Sequence, residues 1–191
     1  MFRQRDNGFI TILNEIRCGK LSAGSIKILK SLSREPKYSD GIEPTLLMSL
    51  RKQVDDANQR KYNSLKGEEH VFEAQIYSKK DIKFDVASLF NAPKTLRLKE
   101  GAQVMLLKNM SGNLVNGSVG VVHSFDEITG FPLVEFDTSA YYKGADSVTE
   151  NDAKYFRTKT LIEPQDWESR DADQRVVATM KQIPLALCYA M

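Results

Sequence analysis

The chain has no run of eighteen apolar residues anywhere in its 191 positions, so no segment reads as a membrane-spanning helix. Cysteine is scarce: Cys18 and Cys188 lie far apart, show no Cys-x-x-Cys spacing, and are too few for a disulfide framework. A reduced, intracellular chain is the reading that follows. The opening residues Met1-Phe2-Arg3-Gln4-Arg5-Asp6 lack the apolar stretch of a secretory signal. The Asn-x-Ser sequons at Asn109 and Asn116 therefore have no evident route to a glycosylating compartment. The only histidines, His70 and His123, have no Cys, Asp or second His at ligand spacing, which argues against zinc. An excess of charge of one sign is missing as well. With 27 Lys and Arg against 25 Asp and Glu the net charge is +2, and any nucleic-acid surface must be local.

Catalytic signatures are also missing. No Gly-x-Ser-x-Gly elbow supports a serine hydrolase. Asp55 and Asp56 are adjacent on an expected helix, so they diverge and cannot flank one substrate bond. A phosphate-binding loop needs a Gly-rich turn followed by Lys and Ser/Thr. Gly112–Gly117 has the glycine spacing, but Ser118-Val119 follows it, and it joins two expected strands. A hairpin is the better reading.

What is present is an ordinary globular composition, 41% hydrophobic and 27% charged, long enough for one sizeable domain or two small ones. Apolar spacing predicts a helix over 6–18, with Phe9, Ile10, Leu13 and Ile16 on one face and Gly19 as its stop. A second helix follows Ser22 and ends before Pro36, and a loop spans 35–44. Thr45–Met48 reads as a short buried strand. A helix beginning after Ser49 places Val54, Ala57, Lys61 and Leu65 on one face, with Gly67 closing it. Val71–Gln75 alternates like a strand, and a charged, weakly patterned stretch runs to about residue 91.

Beyond Pro93, β-rich segments at 96–98, 103–107, 119–125, 132–136 and 156–162 predict a small antiparallel barrel. Asn116-Gly117 predicts a tight turn with positive φ at both central residues. Residues 137–155 read as a polar, mobile insertion, and 182–191 as an apolar element. Two further features carry chemical interest. The helix over 51–66 has Arg51, Lys52, Arg60, Lys61 and Lys66 against Asp55 and Asp56, and a strand feeding its N-terminus can hold a backbone phosphate. Trp167 is either a base-stacking platform or, the more frequent case, a packed aromatic.

Read in order, these segments resemble the Pif/Rrm family of DNA helicases, relatives of bacterial RecD-like motors, and fungal members most closely. The first block is Phe2-Arg3-Gln4-Arg5-Asp6-Asn7-Gly8-Phe9-Ile10, continuing into Leu13-Asn14-Glu15-Ile16-Arg17-Cys18-Gly19. Lys30-Ser31-Leu32-Ser33-Arg34 follows, then Arg51-Lys52-x-Val54-x-x-Ala57-Asn58 running on to Leu65-x-Gly67. The longest block runs from Leu96 through Asn109, with Leu114-Val115-Asn116-Gly117-Ser118-x-Gly120 after it. Glu163-Pro164-Gln165-Asp166-Trp167 and Gln182-Ile183-Pro184-Leu185-Ala186-Leu187 also fit.

The resemblance implies an α/β fold: a partial RecA-like second motor lobe with an inserted small antiparallel β-barrel. The lobe would occupy 1–92, the barrel 93–165, and the return toward the lobe 166–191. It also implies a 5′-to-3′ ATP-dependent motor working in DNA repair, recombination and telomere maintenance, in the nucleus and/or mitochondrion. ATP and Mg²⁺ would be its cofactors and single-stranded DNA its partner, with ATP shared with a first motor lobe. The family's phosphate-binding Lys and acidic Mg²⁺ motif would precede Met1, and its Ser-Ile-His-Lys-x-Gln-Gly motif would begin after Met191. The chain is thus expected to be an internal fragment, inactive alone.

Arg3 matches the family's arginine that reaches the ATP γ-phosphate, and Gln4 belongs to the same motif. Ser49, Arg51, Lys52 and Asn58 match the DNA side of the lobe. Lys108, Asn109 and Asn116 match barrel motif positions, structural first and DNA-facing second. The family usually has a hydroxyl residue immediately before the helix that starts near Arg51, where this chain has Leu50 preceded by Ser49. The alternatives are a free-standing nucleic-acid-binding module and a gene product with no independent role.

Overall fold

A computed structural model describes residues 6–33, 42–79, 85–110, 114–137 and 157–191. The chain divides into two compact units, Met1–Tyr38 and Ser39–Met191.

Among its described residues the first unit contains two helices. α1 (Asn7–Arg17) starts where the Asp6 carboxylate accepts the Phe9 amide proton at 3.0 Å. α2 (Ala23–Ser31) starts where the Ser22 hydroxyl accepts from the Ser25 amide. Each cap satisfies one of the amides that a first helical turn leaves without a partner. Gly19 takes φ +66 just past α1, the left-handed stop expected of it. The reach of the second helix toward Pro36, most of the 35–44 loop and nearly all of the polar 137–155 insertion lie outside the described residues.

The second unit is mostly antiparallel sheet. α3 (Arg51–Ser64) precedes ten strands: β1 (His70–Glu73), β2 (Gln75–Ser78), β3 (Thr95–Leu98), β4 (Gln103–Leu106), β5 (Val119–Phe125), β6 (Pro132–Asp137), β7 (Arg157–Leu161), β8 (Gln165–Arg170), β9 (Val176–Gln182) and β10 (Leu185–Leu187). A 3-10 turn at Val86–Leu89 falls in the stretch that carried little pattern. Among the described residues the strands form three sheets, ordered β1-β3, β10-β4-β5-β6-β7 and β2-β9-β8.

Among the described residues these sheets do not close into a barrel; the strands beyond Pro93 sit chiefly in an open five-stranded sheet whose edge strand β10 comes from 185–187. Its alternating residues make the core. Val104, Leu106, Val122, Val134, Phe136, Ile162 and Leu185 are all within 1% of full burial, and Leu96 and Leu98 of β3 join them. Gly120 allows β5 to lie against β6, because a Cβ there would stand 2.7 Å from the Glu135 carbonyl oxygen. A bulge at His123 shifts the register between Val122 and Ser124.

Several sequence expectations need correction. Thr45–Met48 is not a buried strand: Leu46 and Leu47 are 55% and 86% exposed, and the segment makes a single parallel bridge, Leu46 to Ala190. One pairing partner gives too little ladder to bury both faces. The run 71–75 is not one strand. It breaks at Ala74, whose amide donates to the Lys94 carbonyl; β1 pairs with β3 and β2 with β9. In α3 the buried residues are Ala57 and Tyr62, while Lys61 is exposed and paired with Glu43 at 2.6 Å. At 116–117 only Gly117 has positive φ, at +94, and the Ser118 amide bonds the Val115 carbonyl. That geometry matches a type II turn, which asks for positive φ only at its third residue.

Candidate nucleic-acid interface

Arg3 and Gln4 lie outside the described residues. The remaining candidates fall in two places, the start of α3 and the loop between β4 and β5.

Ser49, Leu50, Arg51 and Lys52 form an exposed corner at the N-terminus of α3. Leu50 is the N-cap and offers no side-chain hydrogen bond, unlike Asp6 and Ser22 on the other two helices. The Gln53 amide donates to the Leu50 carbonyl at 2.9 Å, while no side chain caps the amides of Arg51 and Lys52, which stand with two exposed cationic side chains at the positive end of the helix dipole. No residue in that turn is acidic.

Asn58 is placed differently. Its Oδ1 accepts from the amides of Tyr189 and Ala190, both at 2.9 Å, and its Nδ2 donates to the Ala190 carbonyl at 3.1 Å. The side chain ties α3 to the 188–190 segment. Around it runs a polar seam. Gln103, 1% exposed, donates through Nε2 to the carbonyls of Glu43 and Cys188, and its Oε1 accepts from the Glu43 amide. The Tyr189 hydroxyl accepts the Gln103 amide proton at 3.0 Å, and the Thr45 hydroxyl donates to the Cys188 carbonyl. Burial pushes the Tyr189 phenol and the Cys188 thiol up from their ordinary values. Beside the seam a pocket of about 550 Å³ lies between 43–48 and α3, lined among others by Leu46, Met48, Arg60, Lys61 and Tyr189.

The second group sits on the 107–118 loop. Asn109 Oδ1 accepts the Asn116 amide proton at 2.8 Å, so the two asparagines fix the loop against itself. The Gly117 amide closes it by donating to the Leu106 carbonyl. Both asparagines are exposed, and Lys108 is half-buried. Lys108 Nζ donates to the Asp166 carbonyl and stands 5.2 Å from the centroid of the Trp167 ring. The structure thus brings Lys108, Asn109 and Asn116 together and adds Trp167. It leaves the α3 corner as a separate feature of the same unit.

Gln103 carried no functional signal in the sequence. Its only clue was a polar residue opening a β-rich run, which any half-exposed strand also shows. Among the described residues no group of three or more His, Cys, Asp or Glu side chains is placed to hold a metal ion. No helix among the described residues is long and apolar enough to cross a membrane.

Comparison with known proteins adds three kinds of likeness. Residues 86–125 match the family model described as "DNA helicase Pif1, 2B domain". The whole chain aligns at 35% identity with the ATP-dependent DNA helicase PIF1 of Emericella nidulans and covers 30% of that protein. It aligns at 34% identity with RRM3 of Saccharomyces cerevisiae and covers 26% of it. The crystal structure of Pif1 helicase from Candida albicans superposes over the whole chain at a TM-score of 0.71 and 32% identity, with 45% of that chain covered. The same fold is found at 22% identity and a TM-score of 0.57 in a Bacteroides Pif1 crystallised with ADP-AlF3 and ssDNA; this chain, covered in full, spans 40% of it. The chain thus spans about a third or less of the curated relatives it matches.

Proposed function

The chain belongs to the Pif1 family of DNA helicases, and on that premise we propose that it is the part of an ATP-dependent 5′-to-3′ DNA helicase that supplies a stretch of the single-stranded DNA track and one arginine to the ATP site. In this reading residues 1–92 belong to a second RecA-like lobe, 93–165 to the small antiparallel domain inserted in it, and 166–191 to the return segment. The family match over 86–125 and the antiparallel sheet that follows support the second assignment. Arg3 is assigned to the γ-phosphate and Gln4 to the same site on the strength of their motif alone. ATP and Mg²⁺ belong to the intact parent, where phosphate-binding groups outside this sequence would hold them. The parent's place of work is the nucleus and/or mitochondrion.

One observation carries the DNA side: the uncapped N-terminus of α3, flanked by the exposed Arg51 and Lys52. Amides and cations so arranged bind a backbone phosphate, which positions a strand without reading its bases. Ser49 adds a hydroxyl at the same corner. Lys108, Asn109 and Asn116 extend the track onto the 107–118 loop. Asn58 acts in this reading by holding α3 in place, since its amide oxygen is occupied by Tyr189 and Ala190.

The test is anisotropy of a labelled oligothymidylate titrated with the 191-residue chain at several salt concentrations. Binding is expected to weaken with salt. Replacing Arg51 and Lys52 together by Ala should flatten the slope of log affinity against log salt by about 1.4, for two phosphate contacts on a single strand. An unchanged slope overturns the assignment. The chain alone is expected to turn over no ATP, and DNA-stimulated hydrolysis by it would contradict the division of the ATP site described above.

A further inference from the structure

Residues 107–110 and 114–118 lie outside the five-stranded sheet, and 107–108 are docked on a distant part of the chain. The Leu107 amide donates to the Pro184 carbonyl at 2.8 Å, and Lys108 Nζ reaches the Asp166 carbonyl and the Trp167 ring. Trp167 lies on β8, the edge strand of the β2-β9-β8 sheet, and is half-buried. Its cross-strand partner is Met180, which in turn faces Ile76 of β2, so the indole shares the face of a row in which Met180 is buried and Ile76 half-buried. Period-two alternation places the neighbouring Asp166 and Glu168 on the opposite, exposed face. Both carboxylates adjacent in sequence therefore stand away from the side of the strand that carries the indole, and the charge beside the ring is the ammonium of Lys108.

From this placement we infer that Trp167 and Lys108 form a two-part nucleotide contact: the indole stacks on a base of single-stranded DNA while the Lys108 ammonium leaves the ring for the adjoining phosphate. The inference deepens the DNA-binding reading of the 107–118 loop and rests on it. A cation over an indole and on one neutral carbonyl is held by contacts that a phosphate replaces at close range with a stronger, charge-assisted one. The face that the ammonium vacates is the surface that sequence-tolerant single-strand binding uses, because every base has a π-face. Beside Lys108 the Asn109 side chain accepts the Asn116 amide proton at 2.8 Å, which fixes the backbone on either side of the loop while the long lysine side chain stays free to swing.

Trp167 is the sole tryptophan of the chain, so its emission reports on this site alone. The 191-residue protein is titrated with unlabelled oligothymidylate while indole emission is followed, and with the labelled oligonucleotide in parallel for anisotropy. The expected result is saturable quenching with the same midpoint as the anisotropy curve. Trp167→Leu should weaken binding about tenfold with an unchanged circular dichroism spectrum, Trp167→Phe should restore most of the affinity, and Lys108→Met should reduce the salt dependence. Binding by anisotropy with no change in emission, and with Trp167→Phe and Trp167→Leu both binding like the unsubstituted protein, overturns the inference and leaves the DNA-binding reading intact. Absence of any binding by folded protein at low salt overturns both.

Discussion

The five-stranded sheet and the seam where α3 meets 43–46 and 188–190 lie in the same unit, yet they are held by different chemistry. The sheet buries alternating apolar side chains, Val104, Leu106, Val122, Val134, Phe136 and Leu185 among them, with no side-chain hydrogen bond needed to define its centre. The seam buries amides. Asn58, Gln103 and Thr45 each satisfy backbone groups of segments between 60 and 143 residues away. An apolar core tolerates small shifts, because packing energy changes gradually. A polar seam does not, because each unpaired group carries its full desolvation cost. The sheet is therefore a platform, and the seam is a latch that sets where the basic N-terminus of α3 stands.

Breaking each region in turn makes the contrast measurable. The largest effect is expected at Phe136→Ala, where a fully buried ring is lost from the sheet: about 3–5 kcal/mol, read from the urea midpoint at constant m. A loss under about 1 kcal/mol would mean that the ring does not support the core. Asn58→Ala should cost about 1–3 kcal/mol, since it strands the Tyr189 and Ala190 amides. Its sharper signature is local: hydrogen exchange at 189–190 should accelerate while the β5 and β6 amides keep their protection. Equal acceleration across both regions would show that the seam is not a separate latch.

Leu50→Ser supplies the cap that α3 lacks and is expected to stabilise the chain by about 1 kcal/mol, measured in the same urea titration. The smallest effect is on pH. Burial raises Tyr189 and Tyr62 above their ordinary 10.0 and Cys188 above 9.0, and at Tyr62 the hydrogen bond to Glu69 adds to the rise. A group whose pKa is higher folded than unfolded contributes fully below its unfolded value. That contribution is lost as pH rises through the folded value. Stability should thus decline above about pH 9 to 10, and Tyr189→Phe should flatten that decline in urea midpoints taken across the range.

Much of the fold was legible beforehand, for a local reason. Apolar spacing at period 3.6 marked α1, α2 and α3, and β-rich runs bounded by turn residues marked β3 to β7. The failures share one cause. Residues 71–76 keep a single alternation through the break at Ala74, so nothing local reveals that β1 and β2 choose different partners. Thr45–Met48 is apolar enough for a strand, but its burial depended on neighbours that it does not have. Within the candidate site, Arg51 and Lys52 were readable as a charged helix start. Asn58 shared their block, yet its side chain is turned to the backbone of 189–190, a partner some 130 residues along the chain.

The sequence by itself determined the family and the type of most elements, because ordered motifs and periodicity are properties of neighbouring residues. It settled the faces they bury only in part, since α1 buries Ile12 and leaves Ile16 exposed, and α3 buries Tyr62 rather than Lys61. Only the tertiary structure decided which sheet each strand joined, that Asn58 latches α3 to 189–190 while Gln103 ties β4 to Glu43 and Cys188, and that Lys108 lies over Trp167 across 59 positions of chain. Those outcomes depend on how distant segments meet once the apolar faces are buried. Two polar groups are indifferent to each other in an open chain and become partners only when burial has removed the water that would otherwise satisfy them.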